Sequence, residues 1–149
     1  LRPDRVRVVL DTNVCLDAFV FDDPRTATLV ASLAAGSVEA VTRADCREEW
    51  LGVLDYPALK LDEAGRVEAA ARFDRLVTLL VADVDRDASP GVSLPRCRDP
   101  DDQKFLELAA ASGAKVLFSR DAEVLRLARR TARDGLFEIM KPEDWAGPS

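Results

Sequence analysis

The sequence predicts an α/β sandwich built on a mainly parallel sheet, as a single domain over residues 1–149. Three observations predict it. Short apolar runs rich in valine recur along the chain, and stretches with helical periodicity separate each run from the next. Two of the runs, moreover, give way to an aspartate, Asp11 and Asp121, at the carboxyl edge where open α/β sheets hold their ligands. A chain of 149 residues buries enough surface for one self-sufficient core.

The elements follow in order. Val6 to Leu10 are apolar apart from Arg7 and read as a mostly buried strand, and Thr12 to Val20 open a helix. Pro24 starts a second helical segment after Asp22 and Asp23, which carries its apolar pattern from Ala27 to Ala35 and stops at Gly36. "SVEAVT", Ser37 to Thr42, is a short strand. "RADCREEWLGVLDY" spaces Cys46, Trp50, Val53 and Leu54 as a helix and ends at Pro57. The alanine-rich "DEAGRVEAAARFDRLVTLL" predicts a long helix, with "VADV" as the third strand. Asp85 to Pro100, with three prolines and a glycine, predicts a loop. "DPDDQKFLELAAASG" is a helix with Asp99 as cap, Pro100 in the first turn and Gly113 as stop. "KVLFS" is a strand, "RDAEVLRLARRTARDG" a helix and "LFEIM" the last strand, after which "KPEDWAGPS" folds back or frays.

Composition excludes much chemistry. There are 27 acids, 21 bases and no histidine, so a catalytic triad, histidine phosphotransfer or a two-histidine metal centre cannot be built. The three cysteines, Cys15, Cys46 and Cys97, are odd in number and far apart, and they indicate neither a disulfide framework nor a zinc site. No long apolar segment or basic-then-apolar leader is visible, so a soluble cytoplasmic protein with no membrane association is expected. A net charge of −6 argues against general coating of nucleic acid but leaves room for a local basic groove.

The acids are therefore the chemistry-bearing residues. Asp11 and Asp121 follow strands; Asp99, Asp101 and Asp102 gather where a helix starts; Glu48 and Glu49 lie in the helix after the second strand. Each has an ordinary local explanation, as an N-cap, a first-turn acid beside the helix dipole, or a solvated helix face. Together they converge on one rim, where like charges raise one another's pKa unless a cation lies between them. A hard divalent ion takes oxygen ligands and activates water without histidine, so metal-assisted phosphodiester hydrolysis is the leading chemistry. A phosphatase-like hydrolase with Asp11 as nucleophile is disfavoured, because "DTN" lacks a second aspartate two positions on.

Over nearly its whole length the chain resembles the PIN-domain family of metal-dependent ribonucleases, close to the toxin components of bacterial toxin–antitoxin pairs. "VVLDTNV" is similar to the family's opening strand and first metal acid, Asp11, with Thr12 and Asn13 as the polar pair of the turn. "EEWLGVLDYP" resembles the glutamate-bearing helix, whose acid stands five residues before the leucine of a Val-Leu pair, here Glu49 before Leu54. "CRDPDDQKFLELAAASGAKVLFSRDAEVL" puts the third acid on Asp102, eleven residues before Gly113, and the fourth on Asp121 after Ser119. "MKPEDW" resembles the closing segment. Two positions depart from the family pattern: Arg120 replaces a small residue, and Glu123 replaces a second aspartate. Arg120 is open to two readings, contact with a substrate phosphate or obstruction of a second ion. Asp99 is an accessory ligand through water, and Glu123 a longer-reaching substitute.

The resemblance implies a three-layer α/β/α sandwich and one or two Mg²⁺ or Mn²⁺ ions held by Asp11, Asp102 and Asp121. Glu49 is placed to position an ion or the attacking water. The implied reaction is cleavage of single-stranded RNA, the implied partner a cognate antitoxin, and the implied assembly a homodimer. Arg126, Arg129, Arg130 and Arg133 fall at i, i+3, i+4 and i+7, one side of a helix, with Leu125, Ala128 and Ala132 packing it down. This face is read either as a solvated surface or as a contact for RNA or an acidic antitoxin segment. The remaining alternative is a PIN fold that has lost activity and binds RNA or protein.

Overall fold

The computed structural model describes residues 5–80 and 94–148. Among these, five strands form one sheet: β1 (Val6–Leu10), β2 (Val38–Thr42), β3 (Val77–Leu79), β4 (Val116–Phe118) and β5 (Glu138–Met140). The order is β3-β2-β1-β4-β5, and every neighbouring pair is parallel. Val6 lies opposite Val38 on one side of β1, and Leu10 lies opposite Phe118 on the other. The chain thus leaves β1 toward β2 and returns to β1's other flank as β4, which makes the carboxyl end of β1 a topological switch point.

Seven helices accompany the sheet among the described residues: α1 (Thr12–Phe19), α2 (Ala27–Ala35), α3 (Ala44–Val53), α4 (Glu63–Leu76), α5 (Gln103–Ser112), α6 (Ala122–Leu125) and α7 (Ala128–Arg133). Alternation along each strand sends successive side chains to opposite faces. Val8, Leu10, Val38, Ala40, Val116 and Phe118 meet residues of α1 to α4, whereas Val9, Val41, Leu117 and Ile139 meet α5 and α6. Both faces are covered, which is why these strands read as nearly continuous apolar runs. The result is the expected three-layer sandwich.

One core is anchored by Phe19, Trp50 and Phe73, with Trp50 stacked on Phe73 at 5.4 Å and Phe19 edge-on to both. Such pairs add about 0.5–1.5 kcal/mol each beyond the area they bury. Among the described residues the buried Trp50 indole N–H has no partner, so packing outweighs an unsatisfied donor there. Cys15, Cys46 and Cys97 are all free and buried, as small core residues.

Three boundaries differ from expectation. The long helix stops at Leu76, because Val77 turns extended (φ −126°, ψ 129°) and the β-branched pair Val77 and Thr78 joins β2 instead. The third strand is therefore Val77–Leu79, and "VADV", like most of the expected loop from Asp85, lies outside the described residues. The helix expected after Asp121 is broken: Leu127 N–H donates to Val124 O, a tighter step than an α-helix makes, and α7 starts afresh. At the end of the chain Pro142–Asp144 form a 3-10 turn, and Trp145 packs edge-on against Phe118 with ring centroids 5.4 Å apart. No helix among the described residues is long and apolar enough to cross a membrane.

Candidate active site

Asp11 sits at the switch point. Its backbone N–H donates to Phe118 O at 3.1 Å, which ties the ends of β1 and β4 together. Its side chain caps α1: Oδ1 accepts from Val14 N–H at 3.0 Å, while Oδ2 accepts from the Ser119 hydroxyl. Ser119 is wholly buried, and its Oγ accepts the Asp121 N–H at 3.1 Å. One hydroxyl thus joins the two strand-end acids. Asp121 in turn caps α6, its Oδ1 accepting from Glu123 N–H at 2.8 Å. Only 4 % of Asp11 is exposed, and burial pushes its pKa up to about 6 against the lowering bonds from Ser119 and Val14, with the charges of Asp102 and Asp121 adding to the rise.

The third acid arrives from the other side of the crevice. Asp99 accepts from Asp101 N–H at 3.0 Å and starts a 3-10 turn, Pro100–Asp102, that leads into α5. Gln103 fixes the approach to it, with Oε1 accepting from Cys97 N–H at 2.7 Å and Nε2 donating to Pro95 O at 3.2 Å. Asp102 is half-buried, and its pKa also rises to about 6, by burial first and then by the charges of Asp121, Asp99 and Glu49. Its Oδ2 is buried with no hydrogen-bond partner among the described residues. A bare carboxylate oxygen among like charges costs free energy unless a cation meets it.

Glu49, on α3, accepts the Thr12 hydroxyl on Oε2 and the Lys104 ammonium on Oε1 at 2.6 Å. Glu48 points to solvent. Of the adjacent pair, Glu49 is thus the one brought to Thr12 and the crevice. Thr12 is buried, whereas Asn13 and Asp99 are exposed. Lys104 was not anticipated from sequence: a lysine in a first helical turn reads as solvated, and its signal lies only in its place two residues after Asp102.

The arginines fall into two groups. Arg120 turns to α1 and the carboxyl-terminal turn, with Nε donating to Asp17 Oδ2 at 2.7 Å and Nη1 to Glu143 Oε2 at 2.8 Å. Because the helix breaks at Leu127, Arg126 stands apart from the three arginines of α7, and the four do not line one continuous helix. Arg126 pairs with Glu123 at 3.7 Å and Arg133 with Asp134 at 3.3 Å, while the exposed Arg129 and Arg130 have no acid partner among the described residues. The inward position expected for Ala132 belongs to Thr131, which is fully buried; Ala132 is exposed.

A family model described as PIN domain matches residues 7–123. The chain belongs to the PIN-domain family. PIN domains are generally nucleases, and the parallel sheet with helices on both faces agrees with a PIN fold. No curated protein matches this PIN domain. The family's typical requirement for a divalent metal can be tested against the residues present. Among the described residues no three acids are grouped in ion-holding geometry; Asp11 and Glu49 have both carboxylate oxygens on protein donors, and Asp121 has Oδ1 on the Glu123 N–H. Asp102 Oδ2 has no donor among the described residues, and that oxygen, beside acids whose charges raise the pKa of Asp11 and of Asp102 itself, fits an oxygen-seeking cation.

Proposed function

We propose that this PIN domain is a metal-dependent endoribonuclease that hydrolyses phosphodiester bonds of single-stranded RNA. The observation that carries this reading is the buried, unpartnered Asp102 Oδ2 in a crevice shared with Asp11 and Asp121 at the sheet's switch point. Asp11, Asp102 and Asp121 would hold Mg²⁺ or Mn²⁺, one ion or two. The chemistry such an ion supplies when bound is activation of water and stabilisation of the leaving oxygen. The chain's own part is positional. Ser119 fixes the rotamer of Asp11 and the turn of Asp121, and Glu49, held between Thr12 and Lys104, orients the attacking water. In-line attack at phosphorus leaves a 5′-phosphate on one product. Asp99, whose charge acts on Asp102, and Glu123 serve as accessory acids, and Arg129 and Arg130 offer unneutralised charge to RNA phosphates or to an acidic partner segment.

The resemblance to toxin components extends the proposal: the protein acts in the cytoplasm as the toxin of a toxin–antitoxin pair, dimerises, and is restrained by a cognate antitoxin. A second reading, an inactive PIN fold that binds RNA or protein, draws on the protein donors already engaged by Asp11 and Glu49. Labelled single-stranded RNA incubated with Mg²⁺, Mn²⁺ or EDTA, beside the Asp11→Asn variant, separates the two. Cleavage that needs metal and disappears in Asp11→Asn, with 5′-phosphate ends, supports the nuclease. Binding without cleavage under every metal supports the second reading.

A further inference from the structure

Lys104 is the cation that the acid crevice already contains. Its Nζ lies 2.6 Å from Glu49 Oε1 and also donates to the Asp101 carbonyl, and it stands 5.1 Å from the centre of the Phe105 ring. Its side chain is only 18 % exposed. An ammonium clamped by a carboxylate, a carbonyl and a ring face is not a swinging surface charge. It reaches from the first turn of α5, two residues after Asp102, to α3, so it bridges the two elements that bring Asp102 and Glu49 to the crevice.

The acids then divide into unlike sets. Glu49 has both oxygens occupied, one by the Thr12 hydroxyl and one by Lys104, and its charge is compensated. Asp11 and Asp121 are oriented by neutral donors, a hydroxyl and backbone N–H groups, which leave their charge in place. Asp102 keeps Oδ2 bare. Asp11, Asp102 and Asp121, with Asp99 beside Asp102, thus keep negative charge that no side-chain cation contacts among the described residues. A second ion beside Glu49 would have to displace an ammonium that is already at contact distance and partly buried.

We propose that Lys104 takes the place of a second metal ion, so that the crevice accepts a single divalent cation at Asp11, Asp102 and Asp121. Lys104 is on this view a positioning residue: it holds Glu49 fixed, and of its three N–H donors one remains for an oxygen of the substrate phosphate. The inference rests on the metal-dependent reading above and deepens it by setting the ion count.

Equilibrium titration of the full chain with Mn²⁺, following free ion by electron paramagnetic resonance, tests it without recourse to cleavage. The wild type should bind one ion, and Lys104→Arg, which keeps the charge, should also bind one. Lys104→Met, or Lys104→Gln if the first variant does not fold, should bind two, because Glu49 Oε1 then loses its counter-charge. Two ions in the wild type overturn the proposal, as does a single ion of unchanged affinity in the folded neutral variants. No bound ion in any of the proteins overturns the metal-dependent reading itself, and this inference with it.

Discussion

Asp11 and Asp102 both carry pKa values pushed up from 3.8 to about 6, and this reverses the usual dependence of stability on acid. Between those values the folded state binds more protons than the unfolded state, so stability falls as pH rises through the window and the full penalty is felt above about 6. For the deeply buried Asp11 the rise corresponds to about 3 kcal/mol. We predict that in EDTA the melting temperature declines between pH 5 and pH 7.5, and that Asp11→Asn flattens much of that slope by calorimetry. Added Mn²⁺ should raise the melting temperature more at pH 7.5 than at pH 5. A wild-type slope of the opposite sign, or one that Asp11→Asn leaves intact, would contradict the assignment. Ser119→Ala removes the donor to Asp11 and the acceptor for Asp121 N–H in a wholly buried position. It should cost about 1–3 kcal/mol in urea denaturation and weaken Mn²⁺ binding. At this scale the strand-end acids of the candidate site were legible in sequence: Asp11 and Asp121 declare themselves because an acid after a buried strand stands out. Lys104 did not, since a cation among first-turn acids looks the same whether it is solvated or clamped.

Elements were legible where punctuation agreed with period. β1, α2 and α5 end where Asp11, Gly36 and Gly113 mark the chain. β3 was hidden because "VTLL" continues the apolar spacing of α4, and only pairing with β2 turns those residues into a strand. The break between α6 and α7 was hidden too, for no glycine or proline marks it. That break has a consequence at the same scale. Arg129 and Arg130 lack acid partners among the described residues, whereas Arg126 and Arg133 have them. Arg129→Glu with Arg130→Glu should leave stability within about 0.5 kcal/mol yet weaken RNA or antitoxin binding and reduce its salt dependence, measured by filter binding across ionic strengths. Arg126→Glu should do less, so equal effects at both places would argue against the distinction. Arg120 belongs to the scaffold by its contacts, joining the Ser119–Asp121 turn to Asp17 of α1 and to Glu143. Arg120→Ala should cost about 1–3 kcal/mol in urea denaturation, with a larger loss of cleavage than of fold if the clamp also steadies Asp121.

For the whole molecule, the two cores are separated by the sheet, and the aromatic trio of Phe19, Trp50 and Phe73 joins α1, α3 and α4 in one of them. Phe73→Ala should destabilise by about 3–5 kcal/mol, readable as a lowered urea midpoint, without changing the ion count. The fold class was legible because alternation of strand and helix allows few topologies. The order of strands was not, since nothing local in β1 says that its second neighbour is β4. That neighbour matters in time as well as in space. The Ser119 hydroxyl reaches Asp11 across 108 residues of chain, and Asp121 follows only after it. A nascent chain leaving the ribosome can pair β1 with β2 early, but it carries no acid crevice until β4 has emerged. On the proposed reading the chain is therefore born without its site, and the interval before Ser119 appears is a built-in delay in which a partner has time to engage the growing protein before any cleavage is possible.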